Sequence, residues 1–215
     1  MPSIFKGREV IEIRADSVSL QGILDIPKNA KGVVLFAHGS GSGRLSPRNN
    51  YVASMLRSAG LGTLLFDLLT EEEAQERRNV FDIDLLAQRL LSATEWASRS
   101  NKAGNLKIGY FGASTGAAAA LQASVHTAVR IYSIVSRGGR PDMVMPILDM
   151  VKAPTLLVVG GNDSGVIELN KAAYDRLRCE KELKIVPGAT HLFEESGKLE
   201  EVAKLAEEWF LRYFQ

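Results

Sequence analysis

Lys107-Ile-Gly-Tyr-Phe111, Gly112-Ala-Ser-Thr-Gly116 and Ala117-Ala-Ala-Ala-Leu-Gln-Ala-Ser124 follow one another without a break. The first is an apolar, β-like run and the third is strongly helix-forming. Between them, a serine flanked two residues away on each side by glycine is the pattern of a nucleophile elbow, a sharp strand-to-helix turn that exposes the serine hydroxyl. Glycine is required where the turn brings strand and helix too close for a side chain. The helix beginning at the serine aims its first amides at the site, where they can stabilise negative charge. Five residues alone are a weak signal, so the surrounding order of elements has to agree.

It does agree. A serine elbow calls for an acid and then a histidine, in that order along the chain. Pro154-Thr-Leu-Leu-Val-Val-Gly-Gly-Asn-Asp163 reads as a buried strand running into an acidic loop, and Glu182-Leu-Lys-Ile-Val-Pro187 is a short strand followed by Gly188-Ala-Thr-His191. Ser114, Asp163 and His191 therefore each stand just past a strand end. In an open α/β sheet, ligands bind in the crevice beyond those ends. Each residue also has a plainer reading: Ser114 as a helix N-cap, Asp163 as a turn residue with Asp142 as its rival, His191 as a packed loop histidine.

The rest of the chain reads as alternating strands and helices. Val10–Arg14 and Val18–Ile26 alternate apolar with polar, as a hairpin with one solvated face does. Gly32–Ala37, Gly62–Asp67, the run ending at Phe111, Arg130–Val135 and Thr155–Val159 are nearly continuous apolar runs, the mark of parallel strands covered on both sides. Helical patterns separate them at Asn49–Ala59, Asp82–Ser98, Thr115–Ser124, Asp142–Val151 and Ile167–Leu177, and Leu199–Phe214 is a final amphipathic helix. The charged stretch Glu71–Arg78 is expected to be a solvated loop or helix start. No composition break divides the 215 residues, so one domain over 1–215 is expected.

Composition narrows the class. Hydrophobic residues at 46% and charged residues at 24% are ordinary for a globular protein, and a net charge of +1 offers no field for nucleic acid or anionic membranes. No apolar run is long enough for a membrane span, and Met1–Glu9 has no signal-peptide pattern, so a cytoplasmic location is expected. The single cysteine, Cys179, has no disulfide partner or metal-ligand spacing and is expected to pack; no metal or cofactor is implied. Gly39-x-Gly41 lacks the third glycine of a dinucleotide site, and no Gly-Lys-Ser/Thr follows it, so a phosphate loop is not indicated.

With its hairpin, its β/α units, His38-Gly-Ser-Gly-Ser-Gly43, the elbow, Gly160-Gly-Asn-Asp163 and Gly188-Ala-Thr-His191, the chain resembles the α/β-hydrolase superfamily over essentially its whole length. Within it the chain is most similar to the small, lidless dienelactone hydrolase-like family. Dienelactone hydrolases proper carry a cysteine nucleophile, whereas this chain has Ser114. The resemblance thus implies a serine hydrolase that cleaves a small ester, lactone or thioester through an acyl-enzyme. It also implies an oxyanion hole made by the backbone amides of Ser40 and Thr115. The same triad would serve acyl transfer, and a hydrolase fold can carry a catalytically silent ligand-binding protein.

His38 is expected to be structural and His126 to lie at a helix end. Four arginines, Arg44, Arg48, Arg137 and Arg140, fall in loops expected to border the crevice. There they would either hold a carboxylate or phosphate of the substrate or pair with acids such as Asp67, Asp142 and Glu194. The expected partner is a small-molecule ester, not nucleic acid or a membrane.

Overall fold

The structure, a computed structural model, describes residues 8–215; the expectation of no leader at the N-terminus therefore rests mostly on residues outside those described. The chain opens with a hairpin, β1 (Arg8–Ala15) against β2 (Val18–Asp25), in which Ala15 pairs with Val18. Asp16 turns the chain with a φ of 53°, a left-handed conformation that Asp tolerates better than most residues. β2 then pairs antiparallel with β4 (Gly62–Phe66). From there the sheet is parallel, through β3 (Gly32–Ala37), β5 (Lys107–Ala113), β6 (Ile131–Arg137), β7 (Thr155–Gly160) and β8 (Lys181–Val186). The eight strands stand in the order β1-β2-β4-β3-β5-β6-β7-β8.

Continuous apolar strands are explained by cover on both faces. Along β3, Val33, Leu35 and Ala37 enter one buried cluster while Val34 and Phe36 enter the other. The first cluster lies under α4 (Ile83–Arg99), α5 (Thr115–His126) and α6 (Ser164–Arg176). The second lies under α1 (Pro47–Ser58) and α7 (Lys198–Tyr213), where Trp209 and Phe210 pack with Phe36 and Phe111. Each large apolar side chain buried this way contributes roughly 1.5–3 kcal/mol. A polar pair is built into the first core: the Tyr110 hydroxyl lies 2.6 Å from Thr94 Oγ1, which bonds the Leu90 carbonyl. Cys179 packs against this cluster, as expected.

Two segments differ from their expected form. Pro141–Met150 is a 3-10 stretch interrupted at Val144 (φ −131°) rather than a regular helix. Pro146 within it lacks the N–H that an α-helical ladder needs, so local periodicity overstated the helix. Glu71–Arg78 forms two short helices, α2 (Glu71–Gln75) and α3 (Arg77–Val80). The first is started by a capping box in which Thr70 and Glu73 exchange side chain-to-backbone bonds. Glu73 also pairs with the buried Arg89, which ties this exposed segment to the body of the fold.

Candidate active site

The site is built at the carboxyl ends of the parallel strands. β5 ends at Ala113, α5 starts at Thr115, and Ser114 between them has φ 51° and ψ −119°. A non-glycine residue held there is strained, and such strain persists only where the surroundings over-determine it. Three backbone bonds do so. The Ser114 amide donates to the Arg137 carbonyl at 3.2 Å, and its own carbonyl accepts from the Arg140 and Ala117 amides, each at 3.1 Å. A Cβ on Gly116 would collide with the carbonyls of Ala37 and His38, and one on Gly112 would come within 2.8 Å of the Ala117 amide nitrogen. Both elbow glycines are thus dictated by close approach. The Ser114 side chain makes no N-capping bond to α5.

His191 and Asp163 meet across two loops. The Gly161 amide bonds the Val186 carbonyl at 2.8 Å, and the Asn162 amide bonds Ala189 at 2.9 Å, which locks the turn after β7 to the turn after β8. In this frame His191 Nδ1 lies 2.7 Å from Asp163 Oδ2. An ionised carboxylate only accepts, so Nδ1–H donates and Nε2 is left as the unprotonated nitrogen. The rival acid Asp142 is engaged elsewhere, by a two-pronged bond from Arg140 at 2.8 Å per prong. Ser114 and His191 line one cavity of 120 Å³, with Gly39, Ser40, Arg48 and Arg137 among its other walls.

The loop after β3 closes the opposite side. A Cβ on Gly39 would stand 3.1 Å from the Ser114 Cβ, so the loop backbone comes right up to the nucleophile position. His38 fixes that loop: its Nε2 accepts the Leu68 amide at 2.9 Å and its Nδ1 lies 3.0 Å from the Gly39 carbonyl. Burial pushes the His38 pKa below its ordinary value, opposed by the Gly39 bond. His38 is therefore a neutral clamp, and His126 is an exposed helix-end residue. The same loop also lines a second cavity, of 290 Å³, to which Ser40 and Thr115 contribute together with Leu69, Ala74, Val80 and Leu86.

The four loop arginines separate. Arg44 is ion-paired with Asp67, whose other oxygen accepts the Arg44 amide at 2.7 Å. Arg140 holds Asp142, and Arg48 bonds Glu194 at 2.9 Å while still facing the smaller cavity. Arg137 alone of the four is in no ion pair among the described residues, although it is only 7% exposed. Sequence reasoning placed it beside the others but missed its neighbour Gly138. That glycine has a φ of 52°, and a Cβ there would stand 3.4 Å from His191 Nδ1. The Gly-Gly pair after Arg137 was the available signal. Among the described residues, no group of three His, Cys, Asp or Glu side chains is arranged to hold a metal ion, and no helix is long and apolar enough to cross a membrane.

No family model matches the chain. It is similar to the crystal structure of a dienelactone hydrolase from Anabaena variabilis ATCC 29413, with a TM-score of 0.93 and 51% identity over 97% of this chain and 98% of that one. Est1E from Butyrivibrio proteoclasticus shares the fold, at a TM-score of 0.82 and 18% identity over 97% of this chain and 99% of its own. Two Mycobacterium tuberculosis proteins, from strains CDC 1551 and H37Rv and both named "Putative phosphoribosyl transferase", are 53% identical over 203 residues. That match takes in 94% of this chain but 46% of theirs, so the chain spans about half the length of the curated relatives it matches.

Proposed function

The chain belongs to the dienelactone hydrolase family of the α/β hydrolases, and from that membership we propose a serine hydrolase that cleaves a small ester, lactone or thioester through an acyl-enzyme. The observation that carries this reading is one cavity lined by a strained elbow serine and by a histidine whose Nδ1 is bonded to a carboxylate. His191 takes the Ser114 proton as Oγ attacks the carbonyl carbon. It then returns that proton to the departing oxygen or sulfur, and Asp163 steadies the imidazolium that forms. The amides of Ser40 and Thr115 receive the negative charge that develops on the carbonyl oxygen. Water, activated by the same His191, releases the acid and restores Ser114.

Acyl chemistry, rather than the phosphoribosyl transfer named for the longer Mycobacterium tuberculosis proteins, is what the elbow and the His191–Asp163 pair support. The test is intact-mass detection of labelling by a serine-directed fluorophosphonate. One adduct on the wild type and none on Ser114→Ala is the expected result. A folded wild type that takes no label, or a Ser114→Ala variant labelled equally, overturns the reading.

A further inference from the structure

The 290 Å³ cavity is walled in part by a segment that apolar packing does not hold. α2 and α3 fully bury none of their residues, yet Ala74 and Val80 from them line the cavity together with Leu69 and Leu86. The segment is held by Glu73. Its Oε2 accepts the Thr70 amide at 3.0 Å, and its Oε1 accepts Arg89 Nη2 at 2.7 Å. Its own amide donates to Thr70 Oγ1 at 3.2 Å, and its carbonyl accepts Asn79 Nδ2 at 2.9 Å. Each apolar wall therefore adjoins Glu73 or one of its partners: Leu69 precedes Thr70, Ala74 follows Glu73, Val80 follows Asn79, and Leu86 lies one turn before Arg89 on α4. Arg89 is a fixed post, 5% exposed, whose Nη1 donates to the Ala15 carbonyl at 2.9 Å. Its bond to Glu73 joins two charged groups, the stronger class of hydrogen bond.

The cavity offers apolar contact. Its polar edges are committed: His38 holds the Leu68 amide, and Asp67 is paired with Arg44. Gly39, Ser40 and Ser42 line both this cavity and the smaller one that Ser114 and His191 line, and Thr115, next to Ser114, lines the larger. His191, which must reach the departing oxygen, lines only the smaller one. The acyl side of an ester therefore lies toward Leu69 and Leu86. A volume of 290 Å³ is about twice the roughly 150 Å³ that accepts one benzene ring, so a chain of about six carbons fits, as does one ring with a short tail.

We propose that Glu73 is a positioning residue that shapes this cavity into the acyl subsite, and that the substrates are esters whose acyl group is uncharged and apolar, of about six carbons or one aromatic ring. This rests on the serine-hydrolase reading above. Ser114 Oγ bonds to the acyl carbon as the ester carbon–oxygen bond breaks, and the alcohol leaves with the proton that His191 took from Ser114. Water then adds to the acyl carbon, its other proton passes through His191 to Ser114, and the apolar acid is released. Glu73 touches neither the substrate nor the reacting atoms. It acts through Leu69, Ala74, Val80 and Leu86, whose spacing it sets.

Three esters followed in a pH-stat test the proposal: ethyl hexanoate, its isomer hexyl acetate with the long chain on the alcohol side, and ethyl acetate. Each methylene buried contributes about fourfold, so ethyl hexanoate should exceed ethyl acetate in kcat/KM by at least about 30-fold, and hexyl acetate by about tenfold. In Glu73→Ala the ratio of ethyl hexanoate to ethyl acetate should fall about tenfold or more, through the KM of the hexanoate. Glu73→Gln, which can keep one acceptor bond, should fall between the two. Asn79→Ala cuts only the bond to the Glu73 carbonyl and should lower the ratio about threefold; it decides if Glu73→Ala does not fold. Equal rates on the three esters, a preference for hexyl acetate, or a loss that falls alike on both ethyl esters overturns the proposal. Calorimetric binding of hexanamide separates the two readings. Binding that weakens in Glu73→Ala with no ester turned over would uphold the cavity and overturn the hydrolase; turnover of ethyl acetate with no gain for ethyl hexanoate would do the reverse.

Discussion

His191 Nδ1 and Asp163 Oδ2, 28 residues apart in sequence, stand 2.7 Å apart in the fold. The bond sets the imidazole tautomer, because a carboxylate can only accept. It depends on the backbone ties between the turns after β7 and β8, which carry the two side chains toward each other.

Asp163→Asn tests that role. An amide can donate to Nδ1 and so favours the wrong tautomer, while its size preserves the packing. Ester turnover is expected to fall about ten-thousand-fold, with KM little changed. A loss of tenfold or less, measured on a protein with an unchanged urea midpoint, would make Asp163 a turn residue only.

His38 couples the loop after β3 to pH. Its Nε2 must be unprotonated to accept the Leu68 amide, and burial lowers its pKa from the ordinary 6.5. Between the folded and unfolded pKa values the unfolded chain binds more protons, so stability rises with pH across that window. The contribution is therefore complete above pH 6.5 and is lost as pH falls from there toward the depressed folded value. Urea titrations of wild type and His38→Gln should diverge, the wild type losing up to about 1.4 kcal/mol more per pH unit below that point. Parallel pH profiles for the two proteins would contradict the assignment.

Gly116 and Gly165 make a matched pair of glycines for substitution. A Cβ on Gly116 meets two backbone carbonyls that cannot swing away, whereas one on Gly165, in the first turn of α6, meets nothing within 4 Å. Gly116→Ala should cost at least about 2 kcal/mol and abolish fluorophosphonate labelling. Gly165→Ala should be neutral or stabilise by about 0.5 kcal/mol. Denaturant midpoints check both, and an unperturbed Gly116→Ala would show that the elbow does not need the glycine.

Much of this architecture was legible before any coordinates. The apolar runs at Gly32–Ala37 and Thr155–Val159 announced strands buried on both faces, and the β3 side chains do divide between two cores. Asp163 and His191 stand together as their strand-end positions suggested, and Ser114 shares a cavity with His191. Less visible was the interruption at Val144 and Pro146, where an amphipathic pattern concealed a missing backbone donor. The four arginines were indistinguishable as a sequence, since each lies in a loop with an acid within plausible reach.

The amino-acid sequence by itself determined the order of strands and helices, the elbow and the identity of the three candidate catalytic side chains. Those depend on local periodicity, glycine sterics and residue type, all of which act over a few neighbouring residues. Only the tertiary structure decided that Arg44 goes to Asp67, that Arg48 reaches Glu194 146 positions away, and that Arg137 is left buried without an acid. Charge pairing is decided by distance in space and by desolvation, and neither can be read along the chain.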